Sequence, residues 1–215
     1  MIYDSLLDLI GGTPVIRLSK LSARLGVSVF AKLESFNPGG SHKARIALWM
    51  ILDAERKGIL VRGKGQTILE PSGGNTGIGL AMAGNILGYR VTLVVPDNYS
   101  PDKRQLLELY GAHVVLSDSR KGNNSHGELA IQILLEHPEF VMLNQQRNPA
   151  NPQAHREATA LEILRDFAGQ PPPGLLLRWH WNWWTYHGCW RGAEEPLAGY
   201  GHLWRAARAV RLARR

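Results

Sequence analysis

From Thr67 onward, short runs of β-branched and apolar residues alternate with longer segments of helical period, and Gly, Pro or Asn marks each junction. This alternation predicts βαβ units, because parallel strands need a crossover segment that covers the sheet. The predicted strands are 67–70, 91–95, 113–116 and 140–143, and the predicted helices are 76–87, 101–110 and 127–136. We therefore predict an α/β fold with a parallel sheet flanked by helices on both faces.

Related patterns flank this region on both sides. Residues 27–33 are typical of a strand, and residues 41–56 have the spacing of an amphipathic helix that ends at Lys57-Gly58. A further helix is predicted over 152–167. The Gly- and Pro-rich run 169–173 ends that helix, and regular patterning is lost beyond it.

The first segment that carries chemistry is F-N-P-G-G-S-H-K-A-R, from Phe36 to Arg45. It places Lys43 in the first turn of a predicted helix. The positive end of the helix dipole disfavours an ammonium there and favours the neutral amine, which is the form that attacks an aldehyde. A solvated lysine on an exposed helix is the commoner meaning of such a pattern.

The second segment is E-P-S-G-G-N-T-G, from Glu70 to Gly77, between a predicted strand and a predicted helix. Its small residues let the backbone approach an anion closely, and the helix N-terminus offers unpaired N–H donors. A tight turn that uses glycine for backbone freedom explains the same pattern equally well.

Together these segments resemble the fold type II pyridoxal-phosphate enzymes, specifically the cysteine synthase and cystathionine β-synthase group. That group shows N-P-G-G-S-x-K-x-R and P-T-S-G-N-T-G, and this chain differs in the second motif at two positions. The resemblance implies that Lys43 carries the pyridoxal 5'-phosphate and that Asn75 contacts its ring hydroxyl. It also implies a loop that binds the substrate carboxylate, made of Ser72, Gly73, Gly74 and Thr76. Because glycine stands at 73 where the group has serine, one loop hydroxyl is missing.

Further matches extend the resemblance to about residues 5–168. The run L-N-Q-Q-R-N-P-A-N-P, from Leu143 to Pro152, is similar to the group's N-Q-F-x-N-P-A-N. This similarity implies that Gln145 also contacts the substrate carboxylate. The opening run 11–15 and the stretch 94–96 match as well.

The resemblance implies β-replacement on an O-activated serine, with sulfide or another nucleophile adding after the leaving group departs. Cystathionine β-synthase, serine dehydratase and siderophore-precursor synthase activities remain alternatives within the group. The implied partner is a small amino-acid substrate, and the intact family implies a homodimer. The implied domain scheme is 1–40 as the start of a larger cofactor domain, 41–150 as a smaller βαβ domain, 151–170 as a return helix, and 171–215 as an aberrant tail.

The tail carries an unusual run, R-W-H-W-N-W-W-T-Y-H-G-C-W-R, from Arg178 to Arg191, with five of the seven tryptophans. Tryptophan has the single codon TGG, so a frame displaced by one base turns each one into glycine. The displaced frame permits G-G-T-G-T-G-G-H-I-T-G-V-G, at the place where the group has its phosphate loop, G-x-G-T-G-G. We interpret the tail as the product of a frameshift near residues 171–177, and we expect the chain to be inactive or nearly so. A non-catalytic alternative is that this basic, Trp-rich tail is a binding arm.

Charge and cysteine usage narrow the remaining classes. The net charge is +7, but the segment after residue 170 holds seven Arg and two Glu, whereas the first 170 residues are nearly balanced. This distribution argues against a nucleic-acid-binding body. A single cysteine excludes an internal disulfide framework and a cysteine-based metal site. No signal-peptide pattern or membrane-spanning run is present, so we expect a cytoplasmic protein without a metal.

Overall fold

The computed structural model of the chain describes residues 2–169. The chain divides into two compact units, Met1–Ala150 and Asn151–Arg215, and the described part of the second unit is 151–169. The domain scheme expected from the sequence stays a prediction. The expected tail, 171–215, lies outside the described residues.

The first unit contains six strands and five helices within its described residues. In chain order they are β1 (Val15–Arg17), α1 (Ser19–Leu25), β2 (Phe30–Lys32), α2 (Lys43–Arg56), β3 (Thr67–Glu70), α3 (Asn75–Ile86), β4 (Arg90–Pro96), α4 (Pro101–Leu109), β5 (Ala112–Ser117), α5 (Ser125–Glu136) and β6 (Val141–Met142). Short 3-10 helices lie at Leu6–Leu9, Glu34–Phe36 and Ser119–Lys121. A last helix of this series, α6 (Ala150–Ala154), begins at the final residue of the first unit.

Four of the strands form a parallel sheet in the order β5-β4-β3-β6, which confirms the predicted fold class. In its register Thr67 pairs with Arg90, and Val91 pairs with Ala112. Strand β6 is shorter than the predicted 140–143, because Asn144 takes a left-handed conformation with φ 52° and turns the chain away. The sheet therefore ends directly before the segment that holds Gln145.

A separate two-stranded sheet joins β1 and β2 in antiparallel register, with Val15 opposite Lys32 and Arg17 opposite Phe30. This pairing was not predicted, and it limits the expected strand 27–33 to three residues, because β1 offers only three partners. The expectation of parallel pairing therefore holds for the larger sheet alone.

One buried cluster of the first unit lies between the parallel sheet and α5, and α2 and α3 bury further apolar side chains. Strand β3 is buried at all four positions, and β4 is buried from Val91 to Val95, as expected for strands covered on both faces. Leu69, Val94 and Ala130 form a buried cluster. The partly buried side chains that pack against it are Val115, Leu129, Ile133, Leu134, Phe140 and Met142.

Helices α2 and α3 approach each other unusually closely at Gly79. A Cβ atom at this position would lie 2.9 Å from the Cβ of Ala47 and 3.1 Å from the carbonyl oxygen of Lys43. Only a residue without a side chain permits this spacing, and it draws the start of α2 against α3. The close packing therefore fixes the backbone of Lys43 relative to α3.

The described part of the second unit continues the helix that α6 begins. A π-helical turn, His155–Thr159, separates α6 from α7 (Ala160–Asp166). His155 is fully buried, and its Nδ1 lies 3.0 Å from the hydroxyl of Thr159. The predicted helix 152–167 starts two residues after and ends one residue after the observed helical run, and the π turn was not predicted, because hydrophobic spacing does not report a single inserted residue.

Candidate active site

The turn that leads into α2 is held by Asn37. Gly39 and Gly40 both have positive φ, 79° and 74°, and the N–H of Gly40 donates to the carbonyl of Asn37 at 2.8 Å. The buried Asn37 side chain accepts from the N–H of Gly11 at 2.8 Å and donates to Glu34 Oε2 at 2.9 Å. These contacts fix the entry to the helix whose first residue is Lys43.

Beneath this turn lies an ion pair between Arg45 and Glu34. The guanidinium of Arg45, with 1% of its side chain exposed, donates to Glu34 Oε2 at 2.7 Å and to Oε1 at 2.9 Å. The hydroxyl of Thr13 donates to the same carboxylate at 2.7 Å. Burial is the largest influence on Glu34 and would raise its pKa, but the hydrogen bonds and charge of Arg45 and the hydrogen bonds of Thr13 and Asn37 together hold the pKa below the ordinary value. Sequence reasoning assigned no role to Glu34 or Thr13.

Lys43 lies in the first turn of α2, as predicted, and it is half-buried. Its backbone N–H donates to the hydroxyl of Ser41 at 3.2 Å. Because its carbonyl faces Gly79 at the close approach of the two helices, Lys43 lies beside the helix that Asn75 begins.

The glycine-rich loop lies between β3 and α3, as the sequence predicted. Gly74 is the N-cap of α3 in an extended conformation, and no side chain caps the helix. Among the described residues, no hydrogen bond involves the backbone N–H of Gly74 or Asn75, and both residues are exposed. A Cβ at Gly74 would meet nothing within 4 Å. This helix start therefore presents open N–H donors toward unfilled space, an arrangement that suits a carboxylate.

Thr76 and Gln145, predicted from two separate motifs, meet in the structure. The buried hydroxyl of Thr76 donates to Gln145 Oε1 at 2.6 Å, across 69 positions of sequence. Ser72, Gly73, Gly74 and Asn75 precede Thr76 directly in the chain, so six of the seven predicted site residues share one end of the sheet. Their roles toward a ligand stay predictions.

Glu70 holds Gln145 in this position, and sequence reasoning missed its role. Its carboxylate is 2% exposed and accepts from the N–H of Asn144 at 2.9 Å and from that of Gln145 at 3.0 Å. Burial raises the pKa of Glu70, and the two backbone hydrogen bonds offset that only in part. The available signal was an acidic residue at the end of an otherwise apolar buried strand, where an unpaired carboxylate would be costly.

Two kinds of site were not found within residues 2–169. No group of three or more His, Cys, Asp or Glu side chains in this range could hold a metal ion. No helix of this part of the chain has the length and apolar character needed to cross a membrane.

Comparison with known proteins decides the family. The model of the pyridoxal-phosphate dependent enzymes matches residues 6–175. The chain belongs to this family. The resemblance found in the sequence is thereby confirmed, as is the family's dependence on pyridoxal phosphate.

Individual relatives agree with this assignment. O-ureido-L-serine synthase of Streptomyces lavendulae is 46% identical over 96% of this chain and 59% of its own length. Cysteine synthase of a Flavobacterium species is 45% identical over 81% of this chain and 55% of its own. The chain thus spans less than two thirds of either relative. A solved structure of an O-ureido-L-serine-bound lysine-to-alanine mutant of O-ureido-L-serine synthase aligns with a TM-score of 0.77 at 38% identity, over 91% of this chain and 60% of that one.

The described residues fit the aldehyde end of pyridoxal phosphate. Lys43 is a half-buried amine, and the backbone contact at Gly79 keeps it beside the helix that begins with Asn75. The interpretation of the phosphate loop concerns residues 178–191, which lie outside the described residues. The displaced-frame interpretation therefore stays a prediction.

Proposed function

We propose that this chain carries the amino-acid site of a pyridoxal-phosphate dependent β-replacement enzyme that acts on an O-activated L-serine, as a cysteine synthase does. The observation that carries the proposal is the Thr76–Gln145 hydrogen bond of 2.6 Å beside the open N–H groups of α3. It joins two motifs around a space suited to a carboxylate. The names of the relatives, cysteine synthase and O-ureido-L-serine synthase, support a substrate of the O-substituted serine class.

In this proposal each residue has a distinct task. The bound cofactor supplies the electron sink that stabilises negative charge at Cα. Lys43 Nζ would hold the aldehyde carbon of the cofactor and would serve as the base that accepts the proton from the substrate Cα. Asn75 would contact the ring hydroxyl.

The carboxylate is held by the backbone donors of the loop and by side chains that line it. These are Ser72, Gly73, Gly74, Thr76 and Gln145. Because the loop begins α3, the positive end of that helix faces the bound carboxylate and favours its charge. Holding the carboxylate at this point orients the α-hydrogen toward Lys43, so that proton transfer occurs within one bound complex.

The role of Lys43 is tested by reductive trapping. Purified chain is incubated with pyridoxal phosphate and reduced with sodium borohydride, and the peptide that gains the cofactor mass is identified by mass spectrometry. We expect the label on the peptide that contains Lys43, and none there in Lys43→Arg. Lys57→Arg is the matched control, because Lys57 ends the same helix with its side chain 51% exposed. Equal labelling of surface lysines and Lys43 would contradict the proposal.

The interpretation of residues 171–215 leads us to propose weak retention of the cofactor and little or no turnover. The assay is formation of cysteine from O-acetyl-L-serine and sulfide, with homocysteine as the competing nucleophile for the cystathionine β-synthase alternative. Rapid turnover of O-acetyl-L-serine with either nucleophile would contradict the proposed inactivity and would not affect the family assignment. The underlying nucleotide sequence tests the frameshift directly, since the displaced frame must encode the family's phosphate loop.

A further inference from the structure

Gly73 is a glycine for reasons of space. Its φ is outside the left-handed region, so its backbone would accept any residue. A Cβ at this position would nevertheless lie 2.7 Å from Cγ1 of Val95 and 2.9 Å from Cζ of Tyr99. Real Cβ atoms do not come this close to other carbons, so Val95 and the Tyr99 ring together occupy the volume that a side chain at 73 would need.

Tyr99 is itself anchored at the end of β4. Its N–H donates to the carbonyl of Pro96 at 3.0 Å, and its hydroxyl donates to the carbonyl oxygen of Gly73. The Lys103 ammonium lies 5.4 Å from the centre of the ring, within the range of a cation–π contact. Burial raises the pKa of Tyr99, which keeps the phenol protonated and able to donate.

This hydrogen bond sets the orientation of the Gly73–Gly74 peptide. In a planar trans peptide the C=O and the following N–H point in opposite directions. Because the Gly73 carbonyl faces the Tyr99 hydroxyl, the N–H of Gly74 points away from Tyr99. That N–H is one of the open donors at the start of α3.

We propose that Tyr99 is a positioning residue of the amino-acid site: its ring replaces the loop hydroxyl missing at position 73, and its phenol aims the Gly74 N–H at the substrate carboxylate. The inference rests on the proposed function for the identity of the ligand. It means that this chain recognises the carboxylate of an α-amino acid through the Gly74 N–H and without a side chain at 73. Gly73 and Tyr99 are therefore a matched pair, and a serine at 73 impairs the loop while Tyr99 is present.

Stability tests the matched pair without any cofactor. The folding equilibrium constants of wild type, Gly73→Ser, Tyr99→Ala and the double variant are measured by urea unfolding. Overpacking of a tight site costs about 1–3 kcal/mol, so we expect Gly73→Ser to lower the constant by roughly 5- to 150-fold. In the Tyr99→Ala background the same change costs less, because the contact with the ring is gone and only the contact with Val95 remains. Gly74→Ser is the steric control, because that position is open and we expect less than about a fivefold change. Equal effects of Gly73→Ser in both backgrounds would overturn the pairing.

Peptide orientation is tested by NMR on chain labelled with glycine carrying both ¹³C′ and ¹⁵N. The sequence has three Gly–Gly peptide bonds, at 11–12, 39–40 and 73–74, so a carbonyl-to-amide spectrum shows three peaks. Gly74→Ser identifies the 73–74 peak by its loss. We expect Tyr99→Phe to move this peak alone. We expect Tyr89→Phe, which removes a comparable phenol bond of 2.7 Å to Glu55, to leave it in place. An unmoved 73–74 peak in Tyr99→Phe, or movement of all three peaks, would overturn the positioning role.

The same spectra separate this inference from the proposed function. L-serine is added to labelled wild type in the presence of pyridoxal phosphate, and its affinity is read from the 73–74 peak. Movement of that peak, with at least about fivefold weaker affinity in Tyr99→Phe, supports both proposals. Unchanged affinity in Tyr99→Phe would overturn the role of Tyr99 in recognition. If no peak of the wild type moves on addition of L-serine, the proposed function fails. The urea-unfolding measurements still decide whether Gly73 and Tyr99 are a matched pair, and the 73–74 peak in Tyr99→Phe still decides the orientation of the peptide.

Discussion

Two carboxylates, the partly buried Glu34 and the buried Glu70, support different parts of the candidate site by different means. Glu34 faces the guanidinium of Arg45 and organises the turn that leads to Lys43. Glu70 has two backbone N–H groups as its hydrogen-bond donors, and it positions Gln145. The pKa of Glu34 is lowered and that of Glu70 is raised, although burial pushes both upward. At Glu34 the hydrogen bonds and charge of Arg45, together with the hydrogen bonds of Thr13 and Asn37, outweigh desolvation, whereas at Glu70 two backbone hydrogen bonds do not.

The difference has a functional meaning. The Glu34 side is held by a charge pair that is costly to break and therefore rigid. The Glu70 side is held by uncharged donors on a loop that includes the left-handed Asn144. We infer that the part of the site that anchors Lys43 tolerates less change than the part that positions Gln145.

The largest effect is expected where the charge pair is broken. Glu34→Ala leaves the buried guanidinium of Arg45 without its carboxylate, and we expect a loss of about 3–5 kcal/mol in the free energy of unfolding. Urea unfolding measures it. Lys57→Ala, which breaks an exposed pair with Asp53, is the matched control and should cost less than about 1 kcal/mol. Similar losses in the free energy of unfolding for the two variants would show that the Arg45–Glu34 pair stabilises the fold no more than an exposed pair does.

Removal of the second carboxylate should cost less. Glu70→Ala leaves the N–H groups of Asn144 and Gln145 without their acceptor, and we expect a loss of about 1–3 kcal/mol. Because the backbone of Gln145 then loses the carboxylate that positions it, binding of L-serine to cofactor-loaded chain should weaken more than in Glu34→Gln at matched stability. Weakened serine binding in Glu34→Gln alone would reverse the assignment of the two sides.

A smaller loss is expected at the bond that joins the two motifs. Thr76→Val keeps the side-chain shape and deletes the hydroxyl that donates to Gln145, so we expect a loss of about 0.5–1.5 kcal/mol. Thr92→Val, at a buried threonine of β4, is the control for burying a methyl group in place of a hydroxyl. If both variants have the same stability and the same serine affinity, the Thr76–Gln145 bond contributes nothing to the site.

The smallest expected effect is on how the free energy of unfolding changes with pH. Glu34, whose folded pKa is lowered, contributes stability above its ordinary value of 4.5 that is lost as the pH falls through the folded pKa. Glu70, whose folded pKa is raised, contributes stability below 4.5 that is lost as the pH rises through its folded pKa. The advantage of wild type over Glu34→Gln should therefore shrink on acidification, and its advantage over Glu70→Gln should grow. Unfolding curves taken across this range check both signs, and two slopes of the same sign would contradict the comparison.

Local patterns were sufficient to predict the βαβ part of the fold. The strand 67–70 was predicted with the limits that β3 has, and the predicted helix 101–110 differs from α4 by one residue. The start of that helix could be predicted from Ser100 and Pro101, because Ser100 is the N-cap residue and proline suits the first helical position. The antiparallel pair β1–β2 was missed, because a three-residue strand has too few positions to show alternation.

The site was predictable only in part, for a related reason. The loop residues 72–76 are adjacent in sequence, so a motif reveals them together. The supporting residues Glu34, Glu70 and Tyr99 act across the fold, and their partners depend on which strands are neighbours. The sequence showed that position 73 lacks a hydroxyl, but not that the side chains of Val95 and Tyr99 fill the space beside it. No local pattern reports such a pair.

The close approach at Gly79 has a consequence for how this protein loses function. With the carbonyl of Lys43 in contact with the neighbouring helix, the backbones of Lys43 and Asn75 are spaced by main-chain packing, and the lysine side chain starts from a fixed point. A single methyl group added there would wedge the two helices apart without exposing the core. The damage would be a misplacement of a fraction of an ångström, invisible to a solubility screen and decisive for chemistry.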